Sequence, residues 1–279
     1  MFRCFGTAVP SFPGEPDGPI MRTEVPGPEA KRLMGELAHK QDTLTIEHPV
    51  DLEKSIGNYL VDCDGNIYLD TVQNISSRAL GYNQPEILEL AQSKEMAHLL
   101  GNRTALGLYP PTQWVDLVQR AFMDVAPPGL DNVQATMCGS CAVEGTFKFA
   151  FMARAAARRG GFDVLPTEEE LCSAIQNQQP GSPPYGVLSF KNAFHGTLLG
   201  SLSTTRNTNR IGSFRKVDIP AFDWPMAEPP QYRYPVSDPA HAQYNREQDL
   251  ASLRDVKEKI EHWQSAKGIE IAAVVLEPI

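Results

Sequence analysis

The sequence predicts an α/β fold with a mainly parallel sheet, and three observations predict it. Short apolar runs, "GVLSF" (186–190) and "IEIAAVVLEPI" (269–279), alternate with stretches whose apolar residues recur at helical spacing. The second run is continuous, the pattern of a parallel strand buried on both faces. The composition, 42% hydrophobic and 21% charged over 279 residues, is that of a folded chain with room for a sizeable core.

The elements follow in order. Residues 1–27 are rich in Pro and Gly and read as an extended arm. "PEAKRLMGELAHK" (28–40) places Leu33, Met34 and Leu37 on one helix face, with Pro28 suited to the first turn. "GNYLVDCDGNIYLD" (57–70) is two apolar runs about Asp64-Gly65, a hairpin signal. Helices are expected over 84–100 and 111–126; the second aligns Trp114, Val118, Phe122 and Val125 and stops at Pro127-Pro128. A short strand is expected near 133–137, then a helix that ends with Arg154, Arg158, Arg159 and Gly160-Gly161. Thr167 and Glu170 spell a capping box. Residues 211–245 read as irregular. Leu250, Leu253, Val256, Ile260 and Trp263 then mark a long amphipathic helix closed by Gly268. No internal repeat is found. A parallel strand directly before Ile279 leaves the chain ending where α/β folds hold ligands, so a fragment or truncated product is expected.

Charge and cysteine usage exclude several classes. A net charge of −9 and a pI near 5.2 argue against a nucleic-acid binder. No apolar run approaches the ~20 residues of a membrane span. Five cysteines (4, 63, 138, 141 and 172) are an odd number, spread irregularly, which fits a reducing compartment better than a disulfide framework. The N-terminal "MFRCFGTAVPSFPGEPDG" lacks the apolar run of a secretory signal and is short and Arg-poor for a mitochondrial presequence. Mitochondrial matrix and cytoplasm both stay open, the first slightly favoured.

Four motifs carry chemistry. In "MCGSC" (137–141), Gly139 and Ser140 open a helix after a strand-like run, which suits an anion because the first helical N–H groups have no internal partner. Cys138 and Cys141 around them read as a redox pair, as half of a metal site, or as two small buried thiols. One pair supplies two ligands where zinc or iron–sulfur sites want about four, so a metal would need a second copy across a dimer. Phe194 and His195, in "NAFHG", could sandwich a flat cofactor or be ordinary loop packing. Glu277, at the end of the last apolar run, is a carboxylate that burial would make costly without a partner. His39, His48, His98, His241 and His262 show no ligand spacing.

These motifs share one order along the chain, and with "TEVPGPEAKRLM" (23–34), "GNYLVDCDGN" (57–66), "ISSRALGY" (75–82), "LSFKNAFHG" (188–196), "KVDIPAFDWP" (216–225) and "VVLEPI" (274–279) they resemble class III, fold-type I, pyridoxal-phosphate aminotransferases. The resemblance runs from about Met21 to the end. The Cys-Gly-Ser-Cys and Asp-Ile-Pro-x-Phe-Asp-Trp-Pro segments are particular to the eukaryotic subgroup that acts on 4-aminobutyrate, whereas Phe-His-Gly belongs to the whole class. The resemblance implies an incomplete large domain over 81–279 and part of the small domain over 28–80. It implies that Gly139 and Ser140 hold the cofactor phosphate, Phe194 stacks on the pyridine ring with His195 beside it, Glu277 lies near the cofactor, and Ile75 lines the substrate side. It further implies a homodimer in which Cys138 and Cys141 give half the ligands of a [2Fe–2S] cluster. The expected reaction passes the amino group of an ω-amino acid, 4-aminobutyrate, to a 2-oxo acid, 2-oxoglutarate.

Two departures accompany the resemblance. The family's catalytic Lys and the Asp that pairs with the pyridinium nitrogen belong downstream of Ile279, so these residues alone are expected not to transaminate. Thr197 stands where the family has the Arg that takes the substrate carboxylate, and Thr cannot replace a bidentate cation; either Arg206 or Arg210 substitutes, or substrate choice has moved, or the gene is no longer under that demand. Val143 stands where many of the subgroup have Asn. The rivals are a non-catalytic truncated paralogue that dimerises or holds a cluster, a thiol oxidoreductase using Cys138 and Cys141, and a class III enzyme of another specificity.

Overall fold

Asp64 ties the first helix to the first hairpin. Its two carboxylate oxygens accept the Glu29 and Ala30 N–H groups at 2.8 and 2.9 Å, capping helix α1 (Pro28–Ala38) from outside its own sequence. Gly27, just before α1, is held to glycine by this contact, because a Cβ there would fall 2.4 Å from Asp64 Cγ. The computed structural model describes residues 12–102, 105–207 and 216–278. The expectations that rest on residues 1–11, among them Cys4 and the presequence, and the one on Arg210 lie outside the described residues. Contacts group the chain into two units, residues 1–115 and 116–279, and leave the domain boundary at 80/81 as a proposal.

In the first unit, strands β1 (Tyr59–Val61) and β2 (Ile67–Leu69) form the expected antiparallel hairpin, with Tyr59 opposite Leu69. Gly65 takes the left-handed conformation of the turn, at φ 81°. The single helix expected over 84–100 is two, α2 (Pro85–Ala91) and α3 (Lys94–Asn102). Ser93 explains the break: its hydroxyl accepts the Met96 N–H at 3.1 Å and so starts a new helix. Helix α4 (Trp114–Ala121), which begins at the unit boundary, is shorter than the expected 111–126 and gives way to a 3₁₀ turn over Met123–Val125.

In the second unit, residues 133–137 form no strand, having no ladder partner among the described residues. Helix α5 (Gly139–Arg159) and the capped helix α6 (Glu168–Ile175) follow, the latter with its Thr167–Glu170 box intact. Strand β3 (Tyr185–Phe190) leads to helix α7 (Leu199–Thr204), and strand β4 (Met226–Ala227) to helix α8 (Pro239–Lys267). The α8 helix starts earlier than its apolar pattern, because Asp238 accepts the Ala240 N–H at 2.9 Å and fixes the first turn. It ends at Gly268, φ 66°. Strand β5 (Glu270–Val274) completes a parallel sheet of order β4–β3–β5.

The central strand is β3, where Val187, Leu188 and Ser189 are fully buried. The apolar run of β5 was expected to be buried on both faces; it lies at an edge of this sheet, is mostly half-buried, and stops five residues before the run does. Val143, Phe147 and Phe151, four residues apart, lay one stripe of α5 on the sheet around Val187 and Trp224. Glu270 is buried at the start of β5 and pairs with both Arg154 and Arg158, fastening the C-terminal half of α5 to the sheet.

Candidate cofactor site

Helix α5 begins at Cys138, whose extended backbone (φ −160°, ψ 173°) makes it the N-cap. The first backbone bond of the helix runs from Ala142 N–H to the Cys138 carbonyl, 3.0 Å, so the N–H groups of residues 139–141 have no acceptor inside the helix. Nothing lies within 4 Å of a Cβ built on Gly139, which leaves open space before them. Ser140 Oγ accepts the Thr197 N–H at 3.1 Å and keeps its own proton to donate.

The loop after β3 docks on that serine. Gly196, at φ 136°, comes so near that a Cβ would fall 2.6 Å from Ser140 Oγ and 2.7 Å from Ser201 Oγ. The third residue of Phe-His-Gly is glycine because only glycine fits. Thr205 Oγ1 accepts the His195 and Gly196 N–H groups at 3.0 and 3.2 Å and donates to the Gly196 carbonyl at 2.8 Å. His195 is 9% exposed, and its Nε2 is buried without a hydrogen-bond partner among the described residues. Phe194 is exposed. Its N–H donates to Glu277 Oε2 at 2.9 Å. Glu277 lies beyond β5 and is exposed, so the cost of burial that singled it out does not apply. It lines a cleft of about 770 Å³ at the C-terminal ends of β3 and β5, with Lys191, Tyr232 and Asp249.

Burial holds the His195 imidazole below its ordinary value, with Glu277 acting weakly the other way. It is therefore expected neutral at pH 7. Because the folded form resists protonation, the unfolded chain binds more protons once the pH falls below about 6.5, and stability drops from there. Chemical denaturation at pH 7 and pH 5.5 checks this: His195→Gln should lose less stability on acidification than wild type. Equal losses would mean His195 is charged in the fold.

Cys138 and Cys141 point at each other, with Sγ atoms 3.5 Å apart; Cys138 is exposed and Cys141 half-buried. The Cys141 N–H and thiol turned toward the Cys138 sulfur lower that thiol, and the same contact with Cys138 raises Cys141. The reading of two buried thiols fails on this exposure. One copy offers two sulfurs, and no group of three or more His, Cys, Asp or Glu gathers at a metal site among the described residues. A cluster does not fit one chain.

Arg206 does not replace the missing Arg. It is turned inward, donating to Ser189 Oγ at 3.2 Å and to the Trp224 carbonyl at 2.7 Å, with burial lowering its guanidinium. Val143 belongs to the apolar stripe of α5, where Asn would have to bury an amide. Ile75 belongs to the first unit. It sits in a left-handed turn in which Gln73, Asn74, Ile75 and Ser76 all have φ between 50° and 58°, and is 84% exposed. Such a turn costs about 1–2 kcal/mol per non-glycine residue. Asp70 braces it, its Oδ1 accepting the Val72 and Gln73 N–H groups, each at 2.9 Å.

The family model described as Aminotransferase class-III matches residues 41–279. The chain belongs to the class-III aminotransferase family. Members of this family depend on pyridoxal phosphate. Curated relatives include a 4-aminobutyrate aminotransferase of Dictyostelium discoideum, 43% identical over 98% of this chain and 53% of that protein. The mitochondrial 4-aminobutyrate aminotransferase of Homo sapiens is 38% identical over 94% of this chain and 51% of its own length. The chain thus spans about half the length of the curated relatives it matches. Among solved structures, a lysine aminotransferase from M. tuberculosis superposes with a TM-score of 0.62 over 90% of this chain and 52% of that one; at 24% identity it speaks for the fold alone.

In this class-III chain, two contributors to the site carry no sequence signal. Glu144, in the second turn of α5, reaches across so that its Oε1 accepts the Gly200 and Ser201 N–H groups at 2.7 and 3.2 Å, capping the short helix α7. Thr205 fixes the Phe-His-Gly backbone from ten residues away. Neither stands in a recognisable motif, because each acts on a backbone that only the folded chain brings near.

Proposed function

We propose that these residues form the cofactor-holding part of a 4-aminobutyrate:2-oxoglutarate aminotransferase. The observation that supports this most is the docking of the Phe194–Gly196 loop on Ser140, beside helix N–H groups that have no acceptor inside the helix and an orphaned His195 Nε2. The N–H groups of Gly139 and Ser140 and the Ser140 hydroxyl would take the cofactor phosphate. Phe194 would lie on the ring face with His195 at its side, Glu277 near them, and Ile75 on the substrate side. When bound, pyridoxal phosphate supplies the electron sink for moving an amino group between an ω-amino acid and a 2-oxo acid. The residues named here hold and orient; none is a Lys, and we propose that alone they do not carry out the transfer.

The homodimer belongs to the same reading, and with it a [2Fe–2S] cluster fed by two Cys138–Cys141 pairs. Mitochondrial residence does as well, after relatives named mitochondrial, among them the human protein. Thr197 favours a second reading, a class-III enzyme for a donor other than 4-aminobutyrate, since it is no cation and Arg206 is turned inward.

Equilibrium dialysis of this chain with pyridoxal phosphate and with pyridoxal tests the phosphate assignment. Wild type is expected to prefer the phosphorylated form, and Ser140→Asp to weaken its binding at least about tenfold. An acidic residue in a first helical turn favours the helix, so the loss would not come from unfolding of α5, and unphosphorylated pyridoxal, which a displaced Phe194–Gly196 loop would also weaken, should bind as it does to wild type. Unchanged binding in Ser140→Asp would remove α5 as the phosphate site.

A further inference from the structure

We infer that Cys138 and Cys141 are a redox modification site that closes to an intramolecular disulfide when it meets a small-molecule disulfide. The sulfurs stand 3.5 Å apart in the folded chain, and a bond needs about 2.05 Å. The N-cap residue lies off the helix and the other in its first turn, so the two sulfurs face each other across one turn of backbone. The spacer is Gly139 and Ser140, and nothing lies within 4 Å of a Cβ placed on Gly139 to resist a small adjustment. In the single, metal-free chain Cys138 is exposed and open to an oxidant. Among the described residues no other cysteines share this geometry: the thiols of Cys63 and Cys172 face carboxylates of Asp64 and Glu168.

The exchange balances in two steps. The Cys138 thiolate attacks one sulfur of the reagent; the reagent's S–S bond breaks, a mixed disulfide forms on Cys138, and one small thiolate leaves. The Cys141 thiol gives its proton to solvent, its sulfur attacks the Cys138 sulfur, and the second small thiolate leaves. Two protein thiols are oxidised and one disulfide is reduced to two thiols. The closed pair has no thiolates left for a metal, so oxidation and cluster binding exclude each other. The inference does not depend on the cofactor reading, because the thiols are counted without cofactor.

The test uses the full chain, anaerobic and metal-free, in glutathione–glutathione disulfide mixtures, followed by alkylation and peptide mass spectrometry. The peptide holding both residues is expected to lose two alkylatable thiols and two hydrogen masses, reversibly on adding dithiothreitol. Cys141→Ser should instead trap a glutathione adduct on Cys138, while Cys63 and Cys172 form no internal bridge. A wild-type peptide that stays a dithiol, or that carries stable glutathione on Cys138, overturns the inference. Circular dichroism of Cys141→Ser and Cys138→Ser checks folding, and in any misfolded variant the wild-type result alone decides.

Discussion

Trp224→Ala is expected to destabilise the second unit by about 3–5 kcal/mol, a large share of the 5–15 kcal/mol typical of a folded domain. The indole is the hub of the core. It meets Phe147 edge-on at 5.9 Å between ring centroids, Phe151 at 6.1 Å, and stacks on Phe222 at 4.6 Å. Its Nε1 donates to the Tyr185 carbonyl at 3.2 Å, and its own carbonyl accepts from Arg206 at 2.7 Å. Truncation removes the transfer free energy of the ring and leaves a cavity beneath β3. That strand carries the Phe194–Gly196 loop, so the candidate cofactor site is expected to loosen with it. Hydrogen exchange resolves the outcome within one chain. Peptides over 185–190 should exchange more than about 100-fold faster, at 1.4 kcal/mol per tenfold, and those over 59–69 in the other unit should be unmoved. A change under tenfold over 185–190 would mean that the core does not turn on this residue.

Local patterns located the hairpin, the capping box, the β3 strand and the Arg-rich, glycine-capped end of α5, because turn residues, short apolar runs and capping pairs are local facts. At β5 a continuous apolar run marks a strand without saying whether neighbours cover it; among the described residues that strand is at an edge and Glu277 is exposed. The 84–100 helix broke at Ser93, whose hydroxyl acts as a cap only when the backbone turns to meet it. At the site, Gly139, Ser140, Phe194 and His195 were legible as motifs, and Ser140 with the Phe-His-Gly loop proved to be in contact. Glu144, Thr205 and the inward turn of Arg206 were not legible, since each is a long-range hydrogen bond to backbone or buried side chain. The left-handed turn at 73–76 was also hidden, because its residues have no glycine to announce positive φ and depend on the Asp70 brace.

Asp62→Ala is expected to cost the first unit about 3–5 kcal/mol, since several buried donors lose one acceptor at once. Asp62 is 2% exposed. Its carboxylate accepts the Asp64 N–H at 2.9 Å, the Asn66 N–H at 2.8 Å, the Asn66 side-chain amide at 2.7 Å and the Tyr68 hydroxyl at 2.6 Å. Asn66 in turn uses its oxygen to hold the Arg22 and Thr23 N–H groups, so the loss spreads to the segment before α1. Burial pushes the Asp62 carboxyl up, but the Tyr68 and Asn66 donors outweigh it and hold the group below its usual range. The Tyr68 hydroxyl, by burial and then by this carboxylate, is pushed up to about 12. A carboxyl depressed in the folded state binds fewer protons there than in the unfolded chain. Its contribution is therefore complete above the unfolded value near 3.9 and is lost as the pH falls through the folded one. Urea denaturation followed by hydrogen exchange over 59–69 should show the full gap between wild type and Asp62→Ala at pH 7 and a narrower gap at pH 3. A gap that stayed constant with pH would show that the ionised carboxylate is not what holds the turn. A gap near zero at pH 7 would show that water satisfies those donors as well as Asp62 does.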